Sequence, residues 1–265
     1  MLQYILVLTF TLLIHSVESL SYAVRLGGLR TGRIALAMSL TGIIVLISRT
    51  SNMGQGILLG GMIDTAIRTP EYPLGLKLHL LILAATVGTL IAAVLFPTMT
   101  KISARLVVLL DRAGSLPKLL KSILCWDKTK KLKAYYRPVN WKMAATLRKY
   151  GIPKKLMLIN MTVTAVYTVG VLAALYASYL LPETRLAASM SSGLINGIAT
   201  ILLTLLIDPR IAVLSDRTLR NQSRIGEMDR LFGLMLLSRG AGTLLAQCLL
   251  LPAAYWIGFM IHWIN

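Results

Sequence analysis

Apolar residues fall into six long stretches, Leu2–Val24, Ile34–Ile63, Leu78–Thr100, Leu156–Leu181, Leu186–Ile207 and Leu231–Ile261. Each exceeds the ~20 residues that a helix needs to cross the hydrocarbon core of a bilayer. They read as continuous runs rather than as one apolar stripe recurring every 3.6 residues, which is the mark of helices surrounded by lipid. The pattern predicts an all-α, polytopic membrane protein with six transmembrane helices. Three spans fall within residues 1–100 and three within 156–265, with residues 101–155 forming a long polar connection between the halves. The first stretch does not read as a removable signal peptide, since no Lys or Arg precedes it and it runs too long.

One polar interruption stands out. Ser48-Arg49-Thr50-Ser51-Asn52 lies inside the second stretch and is followed by Gly54, Gly56, Gly60 and Gly61. An arginine at a helix centre costs about 2.5–3.5 kcal/mol on insertion scales, so it normally faces protein or a watery cavity. Arg49 therefore marks either a functional site or an ion pair that ties helices together. Well inside the six spans, the ionisable Asp, Glu, Lys and Arg residues are Glu18, Arg49 and Arg239, placing the polarity in spans one, two and six. Their sum is one positive charge, which favours an anionic ligand. His15, Glu18, Tyr22 and Arg25 recur at spacings of three and four and so share one face of span one. Arg49, Asn52 and Gly56 share a face of span two in the same way.

Depth follows from the helical rise. With Arg25, Arg33 and Arg230 as surface markers, Glu18 lies about 10 Å in, Arg239 about 13 Å and Arg49 about 24 Å. The arginines would then form a ladder, with Arg239 in the inner half and Arg49 in the outer. From Arg33 to Asp64 a straight helix would cover about 46 Å, more than a bilayer needs. Span two is accordingly expected either to break near Gly54–Gly56 or to tilt and overhang.

Charge sets the expected orientation. The chain has 265 residues, 56% hydrophobic and 14% charged, with a net charge of +18. Fifteen Lys or Arg but only two acids, Asp111 and Asp127, lie between Lys101 and Lys155. Arg25, Arg30 and Arg33 follow span one, and five arginines from Arg210 to Arg230 lie between spans five and six. Both ends of the chain lack basic residues, so the positive-inside rule puts both termini outside and the basic loops inside. Tyr255, Trp256 and Trp263 suit the outer interfacial belt. This distribution argues against nucleic acid as a partner and for anionic membrane lipids at the basic loop. Within that loop, Leu116–Leu124 and Trp141–Tyr150 read either as short basic helices, the second capped by Asn140 and stopped by Gly151 and Pro153, or as parts of a solvated loop. Cys125 and Cys248 provide no disulfide framework.

Other polar residues weigh less. Asn160, Tyr167 and Asn196 are expected to bond between helices, His79 and His262 to meet water at span ends, and Asp208-Pro209-Arg210 to end span five. No phosphate-binding loop, nucleophile elbow or metal-ligand spacing is visible, so neither an enzyme nor a cofactor is expected. Two pairs of segments hint at a 3+3 inverted repeat. Arg33-Ile34-Ala35-Leu36-Ala37-Met38-Ser39 resembles Arg185-Leu186-Ala187-Ala188-Ser189-Met190-Ser191, and Gly88-Thr89-Leu90-Ile91-Ala92 resembles Gly242-Thr243-Leu244-Leu245-Ala246. Chance similarity between apolar helices competes with that reading.

Glu18-Ser19-Leu20-Ser21-Tyr22-Ala23-Val24-Arg25, followed by Ser48-Arg49-Thr50-Ser51-Asn52, is similar to the Amj family, bacterial lipid II flippases that serve as an alternate to the MurJ type. The resemblance extends over the whole chain, including the basic middle loop. It implies a multi-pass protein of the bacterial cytoplasmic membrane that moves lipid II, a polyprenyl-pyrophosphate-linked peptidoglycan precursor, from the inner to the outer leaflet. It transfers no functional residue, so the site rests on polarity: Arg49, Arg239, Arg25, Glu18, His15, Tyr22 and Asn52. On this reading the pyrophosphate engages Arg25 or Arg239 from inside and passes toward Arg49, by alternating access through the arginine-containing cavity. Glu18 neutralises an arginine in the empty state and His15 responds to protonation. The rival readings are a membrane-embedded enzyme of polyprenyl-phosphate metabolism and a small-ion transporter.

Overall fold

The computed structural model describes residues 2–124, 135–138, 154–221 and 225–264. The helices are α1 (Leu2–Arg30), α2 (Ile34–Arg68), α3 (Leu74–Ala113), α4 (Leu116–Leu124), α5 (Lys154–Leu180), α6 (Arg185–Leu202), α7 (Asp208–Arg220) and α8 (Ile225–Ile264). A π-helical turn, Leu203–Ile207, joins α6 to α7 so that Arg185–Arg220 forms one span. Together with α1, α2, α3, α5 and α8 this makes six helices long and apolar enough to cross a membrane. No strand occurs among the described residues. In hydrocarbon every backbone N–H and C=O must be satisfied within its own helix, which is why such sequences take this form.

Most spans overrun the apolar stretches. α3 continues to Ala113 and α8 begins at Ile225, each 40 residues long, with Pro97 and Pro252 tolerated inside them. The expected helix at Leu116–Leu124 is present as α4. The expected helix over Trp141–Tyr150, residues 125–134 and 139–153 of the basic loop, and with them Cys125, lie outside the described residues.

α1 packs on both α2 and α3, and α5 packs on both α6 and α8, while contacts of α3 with α8 join the two sets. The first helix of each set thus lies between the other two. Two glycines permit close approaches of one helix backbone to another. A side chain at Gly88 of α3 would run into the Leu12 carbonyl of α1, and one at Gly242 of α8 would run into the Met161 carbonyl of α5. Small residues at such crossings are the usual way that membrane helices approach closely.

The alternating helices leave two ends. One, here the basic end, collects Arg30, Ile34, Ala113, Lys154, Arg220 and Ile225; the far end collects Leu2, Arg68, Leu74, Leu180, Arg185 and Ile264. One apolar cluster, built on Leu59, Leu78, Leu81, Leu172 and Leu250, fills the far half. A second, built on Leu26, Leu29, Leu156, Phe232 and Met235, fills the basic half. Between them lies a polar layer. The outward faces carry Leu46, Met53 and Ile57 of α2 and Leu186, Met190 and Leu194 of α6, all exposed, as lipid contact requires.

Candidate functional site

The polar layer is organised by Glu18. Its Oε2 pairs with Arg239 Nη2 of α8 at 2.5 Å, the two side chains being only 11% and 9% exposed. Its Oε1 accepts the Ser48 hydroxyl of α2 at 2.5 Å and the Tyr167 hydroxyl of α5 at 3.0 Å. Three helices therefore send donors to one carboxylate on a fourth. Tyr167 oxygen in turn accepts Asn52 Nδ2 at 2.8 Å. A buried charge is tolerable only when it is paired and its remaining lone pairs are satisfied, and this network satisfies both oxygens.

The other two arginines differ in their partners. Arg25 Nη1 binds Asp208 Oδ1 at 3.0 Å, toward the basic end. Arg49 Nη2 donates to Thr200 Oγ1 of α6 at 2.9 Å and has no carboxylate partner among the described residues. Tyr22 donates to Asn160 Oδ1 at 3.2 Å, and Asn160 Nδ2 donates to the Met235 carbonyl and to Ser238 Oγ.

A cavity of about 100 Å³ lies among these groups. Its lining mixes the charged side chains of Glu18, Arg25, Arg49, Asp208 and Arg239 and the phenol of Tyr22 with apolar ones, among them Val45, Val163, Ala199, Leu203 and Ile207. Three guanidiniums face two carboxylates, Glu18 and Asp208, leaving one positive charge in excess. The π-turn lends Leu203 and Ile207 to the wall and delivers Asp208 to Arg25. A smaller cavity of about 30 Å³ lies beyond, toward the far end, lined by Thr11, His15, Asn52, Gln55 and Asn196 among others. Tyr167 lines both cavities and separates them.

The structure thus gathers Arg25, Glu18, Tyr22, Arg49 and Arg239 around the larger cavity, and His15 and Asn52 around the smaller. Three expectations change. First, the arginines do not form a ladder. α1 runs on to Arg30 and α8 starts at Ile225, so Arg25 and Arg230 do not mark the start of their helices. Measured from the helix ends at Arg30, Ile34 and Ile225, the residues Glu18, Arg49 and Arg239 lie about 18, 22 and 21 Å along, at one level. Second, α2 is unbroken from Ile34 to Arg68; the irregular turn belongs to span five. Third, Asp208 does not end span five but serves the cavity, and α7 continues to Arg220.

Tyr167, Ser48, Thr200 and Asp208 join the site without having been singled out for it. Ser48 was visible as part of the polar cluster. Tyr167 bonds between helices as expected, but its partner Glu18 is named only by the assembled bundle, which brings α5 within side-chain reach of α1. His79, partly buried near the far end, is bonded to Gln247, Nδ1 to Oε1 at 2.8 Å. No group of three His, Cys, Asp or Glu residues suited to a metal ion occurs among the described residues.

Comparison with known proteins adds the biological frame. A family model described as Amj, alternate to MurJ, matches residues 10–261. The lipid II flippase Amj of Bacillus subtilis (strain 168) is 38% identical over 262 residues, covering 98% of this chain and 97% of that protein. No solved structure matches.

Proposed function

The chain belongs to the Amj family, and from that premise we propose that it carries lipid II across the bacterial cytoplasmic membrane, with the larger cavity as the pyrophosphate site. The observation that carries the assignment of the site is Arg49. Its guanidinium lies midway along α2, on the wall of a cavity with excess positive charge, and among the described residues it is held by a neutral hydroxyl alone. Such a cation in a membrane calls for an anionic partner, and a planar guanidinium matches phosphate oxygens better than an ammonium does. The apolar part of the lining suits the first units of a prenyl chain, whose remainder stays in lipid.

The basic end is the cytoplasmic side in this reading, since it holds the basic loop, and both termini lie outside. The cavity extends to Arg25 and Asp208 on that side and stops at Tyr167 on the other, which suits a state that receives substrate from the cytoplasm. α1–α3 and α5–α8 act as inverted halves. The paired close contacts of Gly88 with α1 and Gly242 with α5 support that division, and rocking of such halves about a central site is a common route to alternating access. Translocation rather than bond making is the activity, and the basic loop attracts anionic lipids.

The test is exposure of lipid II on the outer leaflet in cells depleted of their other lipid II flippase. Arg49→Ala and Arg49→Lys are expected to abolish exposure while the protein stays in the membrane at normal level. Unchanged flipping in both variants would overturn the role given to Arg49.

A further inference from the structure

The smaller cavity has no part in holding the anion, yet it is built with care. Its lining includes a phenol (Tyr167), a hydroxyl (Thr11), an imidazole (His15) and three amides (Asn52, Gln55 and Asn196). Two of these side chains carry buried atoms without a hydrogen-bond partner among the described residues, His15 Nδ1 and Asn196 Oδ1. His15 itself is 6% exposed. A volume of about 30 Å³ exceeds the ~10–15 Å³ that one water requires, and such a site needs two to four polar partners. Size and lining both fit water, placed between His15 and the far end of the bundle.

His15 lies one turn from Glu18 on α1, and the charges acting on its ring are those of Glu18 and Arg239. From α5 it faces Tyr167; α2 presents the amides of Asn52 and Gln55, α3 presents Leu81, Ile82 and Ala85, and α6 presents Asn196. The carboxylate, the imidazole and the guanidinium thus form one electrostatic unit. Arg239 is shared between two tasks, since it neutralises Glu18 in the empty protein and lines the cavity proposed to hold pyrophosphate. When the phosphates draw Arg239 away, Glu18 is left as a buried anion without its cation, a costly state. One proton restores the balance.

We propose that the small cavity is a proton-relay site, which supplies a proton from the far side to the His15–Glu18 pair as substrate takes Arg239 from Glu18. Water in the cavity passes the proton to His15 Nδ1, and the imidazolium replaces Arg239 as the positive partner of Glu18. When the emptied cavity faces the basic end again, Arg239 returns to Glu18 and the proton leaves on that side. One proton thus moves inward for each lipid moved outward. This inference rests on the flippase reading above and goes beyond it by naming a coupling ion.

The experiment uses the full chain in vesicles containing lipid II, with the membrane potential clamped and a pH gradient imposed. Acid on the far side should speed flipping several-fold over the rate at equal pH. His15→Gln should flip slowly and without response to the gradient. If His15→Gln proves inactive, indicator-dye measurement of proton uptake on adding a short-chain prenyl pyrophosphate to detergent-solubilised wild type and Glu18→Gln decides the matter. Uptake by the wild type and none by the variant supports the relay, and no uptake by the wild type overturns it. A gradient response that survives in His15→Gln, or a wild-type rate indifferent to the gradient, also overturns it while leaving the flippase reading intact. Failure of the wild type to flip lipid II under any gradient would instead overturn that reading.

Discussion

Glu18 accepts hydrogen bonds from Ser48, Tyr167 and Arg239, so a change at this one position is felt on α2, α5 and α8 together. Glu18→Gln keeps the shape but leaves Arg239 buried without a counter-charge, and breaking a buried pair from one side costs about 3–5 kcal/mol. Replacing both partners, as in Glu18→Gln with Arg239→Met, removes the stranded charge and should cost less than Glu18→Gln alone. Melting temperatures in detergent check the order: the single variant lowest, the double variant between it and wild type. An equal drop for both would show that Arg239 finds another partner. The sequence made half of this residue-level picture legible. Spacings of three and four put His15, Glu18, Tyr22 and Arg25 on one face, and rarity in apolar spans marked Glu18, Arg49 and Arg239 as important. Partners on other helices were not legible, because the register of α1 against α5 is set indirectly, through α1 on α3, α3 on α8 and α8 on α5, and not by any local pattern. Tyr167 does bond between helices, as its position predicts, but nothing in the sequence names Glu18 as its partner, nor Arg25 as that of Asp208.

Among the elements, span two and span five exchange roles relative to what their residues promise. Gly54, Gly56 and Gly60 of α2 invite a break, yet α2 is continuous and no neighbour lies within 4 Å of where their side chains would begin. A lone glycine costs a helix only about 1 kcal/mol against alanine, far less than leaving backbone groups unbonded in lipid. Span five carries the irregular turn instead, at Leu203–Ile207, ending two residues before Pro209. Proline lacks an N–H and crowds the preceding turn, and a wider turn there relieves both effects while aiming Asp208 at Arg25. Glycines therefore sort by surroundings rather than by number. Gly88→Leu and Gly242→Leu should force α1 from α3 and α5 from α8, at a cost of about 1–3 kcal/mol or more, seen as loss of folded protein after extraction. Gly54→Ala and Gly56→Ala should leave stability unchanged or raise it by up to about 1 kcal/mol. The reverse ranking in a thermal melt would show that the glycines of α2 are the ones the fold depends on.

At the scale of the molecule, two ion pairs hold the cavity-flanking spans at opposite ends. Asp64 at the far end of α2 binds Arg185 at the start of α6, 3.1 Å apart. Arg25 of α1 binds Asp208 near the basic end of span five. Between these levels Arg49 reaches Thr200, so span five is tied to α1 and α2 at successive heights around the cavity. If the two halves rock about the central site, the Asp64–Arg185 contact must separate when the cavity opens to the far side. Both side chains are well exposed, at 57% and 41%, and an exposed pair contributes only about 0–1 kcal/mol. Neutralising either residue should therefore leave flipping close to wild type. A covalent tie at the same place should not. With Asp64→Cys and Arg185→Cys introduced together, a short cleavable bifunctional thiol reagent should arrest lipid II exposure, and reductant should restore it. Each single cysteine, treated in the same way, should flip as before. Flipping that continues in the fully cross-linked pair would mean that the far ends of α2 and span five stay together throughout the cycle, and that the substrate leaves by a different parting of the helices.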